Sequence, residues 1–551
     1  MLWFFGCTPE IEPSESGDID LTTWETSSAD ACADGSVGPD RFTDRAAEMG
    51  LDVTMTSWWG KPTSFAANVI LFDLDDDGDL DVLFGRNEGP PHLVEHVEDH
   101  FEERPEPFAD FIETGGPTAA LAVADLDGDF LPELLMAGTG RVYIAHNEGG
   151  LAFSAPQMVY DEGGDMVPYF ISMNLADIDG DDDLDIALPS LDYVPRNVND
   201  TYDESYFGRG SDDLVLKNEG DGTFSVAARL TPDGTPGYAL AAVFTDYDND
   251  ADPDLFVSTA RIDLQGDIPE QALYRNEGGA FPTNMAHDLF VDWDISGMGY
   301  DAFDANNDGI LDHCFTDSGP VRCFESYSDG TFVQVGEVWG LNPPPYTGRT
   351  WSGWSMEMTD LDNDGALDAW VAAGNETHPR HVWPPWMGDH PQPDTDEHAD
   401  ALFWGNGDGT FTEVAGEYGY NDLTDHFGLA AADLDGDGAQ EVIVAPSEGT
   451  PRAWWNACTS GGWIEVSLVG PPGNTAGFGA RAEFDFGDQI ERRQMQNVRG
   501  FGQGPARWHV GLSEAAGLKA IRLRWPDGLE SEILDVPANT RVIAHHPNAT
   551  R

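Results

Sequence analysis

The sequence predicts an all-β chain: a seven-bladed β-propeller with acidic loops between its strands, followed by a small β-rich C-terminal domain. Three observations carry the prediction. One acidic nonapeptide recurs seven times, a tight-turn phrase follows most copies, and the charge changes abruptly near Asn456.

The nonapeptide comes first. It reads FDLDDDGDLDVLF (72–84), ADLDGDFLPELLM (124–136), ADIDGDDDLDIAL (176–188), TDYDNDADPDLFV (245–257), FDANNDGILDHCF (303–315), TDLDNDGALDAWV (359–371) and ADLDGDGAQEVIV (432–444). Its first aspartates are separated by 52, 52, 69, 58, 56 and 73 residues, which suits one four-stranded blade plus loops of varying length. An apolar run precedes each copy and a strand-forming run such as DVLF, DIAL or EVIV follows it, so the acidic segment connects two strands.

The turn phrase appears as RNEG (86–89), HNEGGLAF (146–153), KNEGDGTF (217–224), RNEGGAF (275–281), YSDGTF (327–332) and GNGDGTF (405–411). Asn-Glu-Gly and Asp-Gly favour tight hairpins, so each phrase predicts a turn between strands, and strand, loop, strand, hairpin, strand is a blade in outline. A third phrase, FTDRAAEMGLD (42–52), recurs as FVQVGEVWGLN (332–342) and FTEVAGEYGYN (411–421). The array therefore begins at the point in the repeat where it would restart, and matched ends predict a closed ring without exposed sheet edges.

Charge sets the last boundary. The chain has 26 basic and 101 acidic residues, a net −75. Residues 457–551 hold ten of each sign, so the whole excess lies before them. The predicted divisions are 1–40 as a leader and flexible acidic tether, 41–456 as the propeller, and 457–551 as the β-rich domain. So acidic a chain repels phosphate backbones and anionic lipid, which argues against nucleic-acid partners and makes cations the natural ones. With 40% hydrophobic residues it is no disordered tail,.

The N-terminus, MLWFFGC, lacks a basic residue before Arg41 and has a very short apolar run. Gly6-Cys7 nonetheless resembles the end of a truncated lipoprotein signal, which would make Cys7 a lipid anchor and place the chain outside the cell or on its surface. No run of about 18 apolar residues exists to span a membrane as a helix. In HCFTDSGPVRCF, Asp317-Ser318-Gly319-Pro320 turns a hairpin that sets Cys314 opposite Cys323. A disulfide between them is expected in an oxidising compartment, two buried thiols being the alternative.

The chemistry of the nonapeptide follows from its spacing. Numbered from its first aspartate, it places oxygen-bearing side chains at positions 1, 3, 5 and 9. The candidate ligands are Asp73, Asp75, Asp77 and Asp81; Asp125, Asp127, Asp129 and Glu133; Asp177, Asp179, Asp181 and Asp185; and Asp246, Asp248, Asp250 and Asp254. The last three copies give Asp304, Asn306, Asp308 and Asp312; Asp360, Asp362, Asp364 and Asp368; and Asp433, Asp435, Asp437 and Glu441.

Ca²⁺ takes six to eight oxygens at about 2.3–2.6 Å, and alternate side chains of a curled loop converge on one point. Position 6 needs a positive φ. Gly78, Gly309, Gly365 and Gly438 supply it readily, Asp182 at some cost, and Phe130 and Ala251 awkwardly,, so the second and fourth sites are expected to be the weakest. An EF-hand would carry its last ligand at position 12 between helices, which fails here. Mg²⁺ demands stricter octahedral geometry, and zinc would want His or Cys ligands, which the loops do not offer. Metal-free acidic turns are the plain alternative, but seven crowded carboxylate sets would each be self-repelling.

These loops resemble the FG-GAP/VCBS repeats of integrin-α-type propellers. The tail, with GGWIEVSLVG (461–470), PPGNTAGFGARAEF (471–484), RGFGQG (499–504), WHVGLSEAAGLKAIRLRWPDG (508–528) and DVPANTRVIAH (535–545), resembles the ASPIC/UnbV domain found in cartilage acidic protein-like secreted proteins. The resemblance implies up to seven structural calcium ions, an extracellular setting and an adhesion or interaction role with a protein or glycan ligand. It implies no reaction.

The insertion NETHPRHVWPPWMGDHPQPDTDEHAD (375–400), with His378, His381, His390, His398, Trp383 and Trp386, reads as a proline-stiffened surface loop with tryptophans able to stack on sugars or anchor a partner. The alternative is a calcium-dependent polysaccharide lyase using His381 and His390. No nucleophile elbow, P-loop or HExxH motif is present,.

Overall fold

In the computed structural model the described residues are 24–28, 41–55, 67–86, 90–105, 107–108, 119–195, 210–231, 237–259, 271–293, 295–344, 351–375, 399–418, 420, 422–446, 448–457 and 461–549. Among them, seven four-stranded antiparallel meanders follow one another along the chain, five as separate sheets, the first extended by a parallel strand of the tail and the fifth continuous with four strands of the tail. Six lie within 69–103, 120–161, 174–230, 239–284, 300–334 and 351–413. The seventh takes three strands from 426–456 and its fourth, Phe42–Asp44, from the start of the array, in register with Trp454–Asn456. The matched ends of the repeat thus become one sheet.

First strands such as Ala120–Ala124 (ALAVA) and His426–Ala432 (HFGLAAA) are buried at every position. A strand covered on both faces reads as a continuous apolar run, and alanine and glycine suit it where strands crowd together. Seven hydrophobic clusters then join the sheets pairwise. Ile70, Leu83 and Leu121 link the first to the second, Leu135 and Ile186 the second to the third, and Val215 and Phe244 the third to the fourth. Phe256 and Tyr300 link the fourth to the fifth, Phe303 and Met356 the fifth to the sixth, and Trp370 and Val442 the sixth to the seventh. Val69, Val82, Ile443 and Ala453 join the seventh back to the first, closing the ring.

The tail forms two further sheets. Gly462–Val469 lies between Arg507–Ser513 and Thr540–His545. The strands Arg481–Asp485, Ile490–Gln494, Gly517–Arg524 and Glu530–Pro537 make the other sheet, which joins the fifth blade where Arg493 pairs with Phe303.

From there the chain threads the middle of the ring. The Gln494 amide meets Phe244 and Thr245 of the fourth blade. The Asn497 amide clasps both N and O of Leu175 in the third at 3.1 and 2.6 Å, and Gln503 does the same to Val123 in the second at 2.9 and 2.7 Å. Phe501 N donates to Ser355 Oγ in the sixth at 3.0 Å, and Gly502–Gln503 pair in parallel with Val69–Ile70 of the first. Gly502 passes the seventh so closely that a Cβ would lie 1.7 Å from Leu429 O. One segment, 493–503, therefore touches the first strand of all seven blades.

The predicted tether departs from expectation in one place. Trp24–Ser28, inside the stretch read as tether, is a strand on the edge of the tail, in register with Thr540–Ala544, and Trp24 packs on the tail's core. An apolar indole next to an open edge outweighs the acidic composition around it. In the first blade RNEG falls between the antiparallel second and third strands, Asp81–Phe84 and His92–Val97, with 87–89 outside the described residues, and the turn between third and fourth strands is at Glu98-Asp99, with Glu98 at φ 59°. The other phrases from KNEG onward sit at the hairpin between third and fourth strands. The tail packs against the ring and is woven into it. Cys314 and Cys323 face each other in register and form a disulfide, with Cα atoms 4.0 Å apart. Cys7 and most of the 375–400 insertion, with its histidines and tryptophans, lie outside the described residues.

Candidate metal centres

Each acidic loop joins the first and second strands of a blade, and all seven share one register. Position 9 opens the second strand and pairs with the residue just before position 1: Phe72 with Asp81, Ala124 with Glu133, Ala176 with Asp185, Thr245 with Asp254, Phe303 with Asp312, Thr359 with Asp368 and Ala432 with Glu441. The strand ladder thus fixes where the loop must begin and end.

Inside the loop the carboxylates at 1 and 9 organise the backbone. Position 1 accepts amides from the far side of the curl: Asp73 from Asp77 and Gly78, Asp125 from Gly128 and Phe130, Asp177 from Gly180, Asp181 and Asp182, and Asp246 from Ala251. Asp304, Asp360 and Asp433 do the same in the last three loops. Position 9 accepts the N–H of position 2 in every copy, from Leu74, Leu126, Ile178, Tyr247, Ala305, Leu361 and Leu434, at 2.8–3.3 Å.

Where position 9 is aspartate, its second oxygen accepts from the third strand: His96, Asn218, Asn276, Ser326 or Gly405. Position 9 is therefore a backbone anchor as well as a candidate ligand.

Carboxylate atoms converge as the spacing requires. Asp73, Asp75 and Asp77 lie within 4.8 Å of one another, as do Asp125, Asp127 and Asp129; Asp177, Asp179 and Asp185; and Asp246, Asp248 and Asp250. These acidic clusters could hold a metal. Burial pushes position 9 up to about 8 in Asp81, Glu133, Asp185, Asp254 and Asp312, and well above its ordinary value in Asp368 and Glu441. Neighbouring carboxylates add to the shift. Buried, crowded acids are the environment that a dication would relieve.

Position 6 adopts the left-handed backbone in all seven copies, including Phe130 at φ 69°, Asp182 at φ 70° and Ala251 at φ 81°. Sequence reasoning missed that position 4 does too: Asp76, Gly128, Gly180, Asn249, Asn307, Asn363 and Gly436 lie between φ 56° and 79°. The signal was present, since only Gly, Asn or Asp occupies that position, the residues that tolerate this conformation.

A second missed signal is the basic residue before Asn-Glu-Gly. Lys217 reaches into the third loop and pairs with Asp179 and, at 3.0 Å, with Asp181. Arg275 enters the fourth, 3.2 Å from Asp248 and 3.1 Å from Asp250. In the second blade the same place holds His146, 3.8 Å from Asp127 and 3.7 Å from Glu133. The nonapeptides themselves hold no histidine, as expected; here the third strand brings one from outside the loop.

The tail covers this face of the ring. Thr475 donates to Asp125 at 2.9 Å, Arg481 and Arg524 approach Asp246 at 3.7 and 3.9 Å, Arg492 pairs with Asp304 at 2.8 Å, and Arg541 with Asp433 at 3.3 Å. His509 bonds the Asn363 side chain at 2.6 Å. A cavity of about 900 Å³ remains between the tail and the first, second and seventh loops, lined by Asp73, Asp125, Asp433, Glu465, Arg507 and Trp455 among others.

Comparison with known proteins adds sequence relationships. The FG-GAP-like repeat family matches residues 73–136, 125–188, 272–371 and 394–444, and the ASPIC and UnbV family matches residues 470–551. Cartilage acidic protein 1 of Xenopus tropicalis is 20% identical over 331 residues, which span 58% of this chain and 42% of that protein. Among solved structures, an Agrocybe aegerita lectin that recognises non-reducing terminal N-acetylglucosamine overlaps with a TM-score of 0.40 at 17% identity, covering 69% of this chain and 85% of the lectin. Sqt1 of Saccharomyces cerevisiae overlaps at 0.38 and 11% identity, covering 73% of this chain and 98% of its own.

Proposed function

We propose that this chain, which carries FG-GAP-like repeats and a C-terminal ASPIC and UnbV domain, is a calcium-stabilised propeller acting as an interaction module outside the cell or at its surface. The observation that carries the reading is the single register repeated seven times, with oxygens at positions 1, 3, 5 and 9 on each loop. Hard oxygen donors in a curled loop suit Ca²⁺. In the third and fourth loops an ion competes with Lys217 or Arg275, which adds the third site to the second and fourth, already expected to be weak because Phe130 and Ala251 hold position 6. Affinity falls in the range of extracellular modules, roughly 10⁻⁴–10⁻³ M. The Cys314–Cys323 disulfide suits an oxidising setting,. No described helix is long and apolar enough to cross a membrane.

In this reading calcium is structural: it fixes the loops between strands and the face on which the tail is seated. The ring then presents a rigid surface to a protein or glycan, and the chain binds without catalysing. A thermal melt in millimolar calcium against excess chelator tests the metal, and an unchanged midpoint would sink it. Protein and glycan arrays, with and without calcium, test the binding role. Calcium-dependent release of product from acidic polysaccharides would replace that role with a lyase.

A further inference from the structure

The second acidic loop combines two features: a glutamate at position 9, shared with the seventh loop, where Glu441 Oε1 likewise has no hydrogen-bond partner, and a histidine brought in by the third strand. The first is at position 9. In the five aspartate loops both carboxylate oxygens accept backbone amides, as Asp81 does from Leu74 and His96. Glu133 has one methylene more. Its Oε2 accepts Leu126 N at 2.8 Å, while Oε1, on a residue with no solvent exposure, has no hydrogen-bond partner. A fully buried acceptor without a donor is costly unless something else satisfies it.

The second feature is His146. Where the third and fourth blades insert a permanent cation, Lys217 or Arg275, between the carboxylates at positions 3 and 5, the second blade offers an imidazole. Its Nδ1 stands 3.7 Å from the unpartnered Oε1 of Glu133 and 3.8 Å from Oδ2 of Asp127. The three ligand atoms lie within 4.8 Å of one another, too far apart for hydrogen bonds along either measured edge,. A triangle with edges of 3.7 and 3.8 Å and a third no longer than 4.8 Å has its centre about 2.1–2.4 Å from each corner, a range that begins at the bond length of zinc to imidazole nitrogen or carboxylate oxygen. The next residue holds the strand end in place: Asn147 Nδ2 donates to Leu74 O at 2.7 Å and Pro132 O at 3.3 Å.

We propose that Asp127, Glu133 and His146 form a site for a borderline first-row dication of the zinc class, distinct in selectivity from the all-oxygen loops. One nitrogen and two carboxylates favour such an ion over Ca²⁺, which prefers oxygen ligands and a larger shell. Three protein ligands leave a coordination position open to water or to a donor group from a partner. His146 has 42% of its side chain exposed, so the ion can enter from solvent. The proposal does not rest on calcium binding at any loop, although it withdraws Asp127 and Glu133 from the second calcium set.

The test uses the full chain, stripped with chelator and then equilibrated with Zn²⁺ in excess Ca²⁺. His146→Ala should lose one zinc equivalent by metal analysis, with an unchanged circular dichroism spectrum and an unchanged calcium-induced shift in melting. His146→Lys, which copies the third blade, should lose the same equivalent. With Co²⁺ as the probe, the visible absorption of a nitrogen-ligated site should appear in the parent chain and vanish in both variants. Zinc stoichiometry and cobalt spectrum unaffected by both substitutions would overturn the proposal, as would displacement of the His146-dependent ion by calcium alone. A failure of the calcium melt with His146-dependent zinc retained would count against the calcium reading only.

Discussion

At the scale of single residues the acidic loops are set by backbone conformation as much as by charge. Ala251 sits at φ 81° with its N–H on Asp246, in a region that disfavours any residue with a Cβ. Ala251→Gly should therefore stabilise the protein by about 1 kcal/mol in denaturant titration; a loss of stability would show that this backbone is not strained. The position-9 carboxyls give a pH signature. Burial lifts Asp81, Glu133, Asp185, Asp254 and Asp312 to about 8, against roughly 4 in an unfolded chain. Between those values the metal-free folded state holds more protons than the unfolded state. Its stability should therefore fall as pH rises from about 4 to about 8. A bound dication requires the ionised form, so the gain in melting temperature on adding calcium should grow over the same window. Melts at several pH values check both slopes, and a pH-independent calcium gain would contradict the assignment. Positions 1, 3, 5 and 9 were legible because their spacing repeats. Position 4 was equally written in the sequence, as Gly, Asn or Asp in every copy.

At the scale of elements, glycines in the tail mark where backbone passes backbone. In RGFGQG, one of the phrases behind the family resemblance, Gly502 lies where a Cβ would meet Leu429 O at 1.7 Å and Gly500 where one would meet Trp354 O at 2.9 Å. Gly502→Ala must push the segment off the seventh blade and weaken its pairing with Val69 and Ile70. The expected loss is about 3 kcal/mol, measured by chemical denaturation; a loss below the error of the measurement would mean that the segment can shift freely. The Asn497 and Gln503 amides act as short substitute strands, each satisfying one N–H and one C=O of a first strand. The tail was predicted to be β-rich, and strands are there. Their partners could not be read, because a side-chain amide facing a strand 322 or 380 residues away leaves no local pattern.

At the scale of the whole molecule, ring and tail make one folding unit. The cluster joining the second and third blades continues into the tail through Ile464, Phe478, Trp508 and Ile521, and arginines of the tail meet aspartates of the fourth, fifth and seventh loops. A chain ending at Asn456 would expose that apolar surface and leave buried backbone groups unpaired, so it should aggregate or melt without a cooperative transition. Size-exclusion and calorimetry check this; a monomer with the parent's melting temperature would show that the ring is self-sufficient. The charge boundary near Asn456 was a true compositional signal with an unexpected meaning: the balanced tail brings Arg481, Arg492, Arg524 and Arg541 to a face crowded with carboxylates.

The sequence by itself determined the β class, the seven repeated loops and their candidate ligands, the return of the array's start to its end, and the pairing of Cys314 with Cys323. All of these follow from local spacing, which sets strand period, turn type and register. Only the tertiary structure decided that the tail threads the ring, that its arginines reach three of the loops, that Trp24–Ser28 extends the tail's sheet, and that His146 stands beside Asp127 and Glu133. Those contacts arise where separate blades and the tail are brought side by side, and packing of that kind depends on shape and burial across the fold rather than on any repeat along the chain.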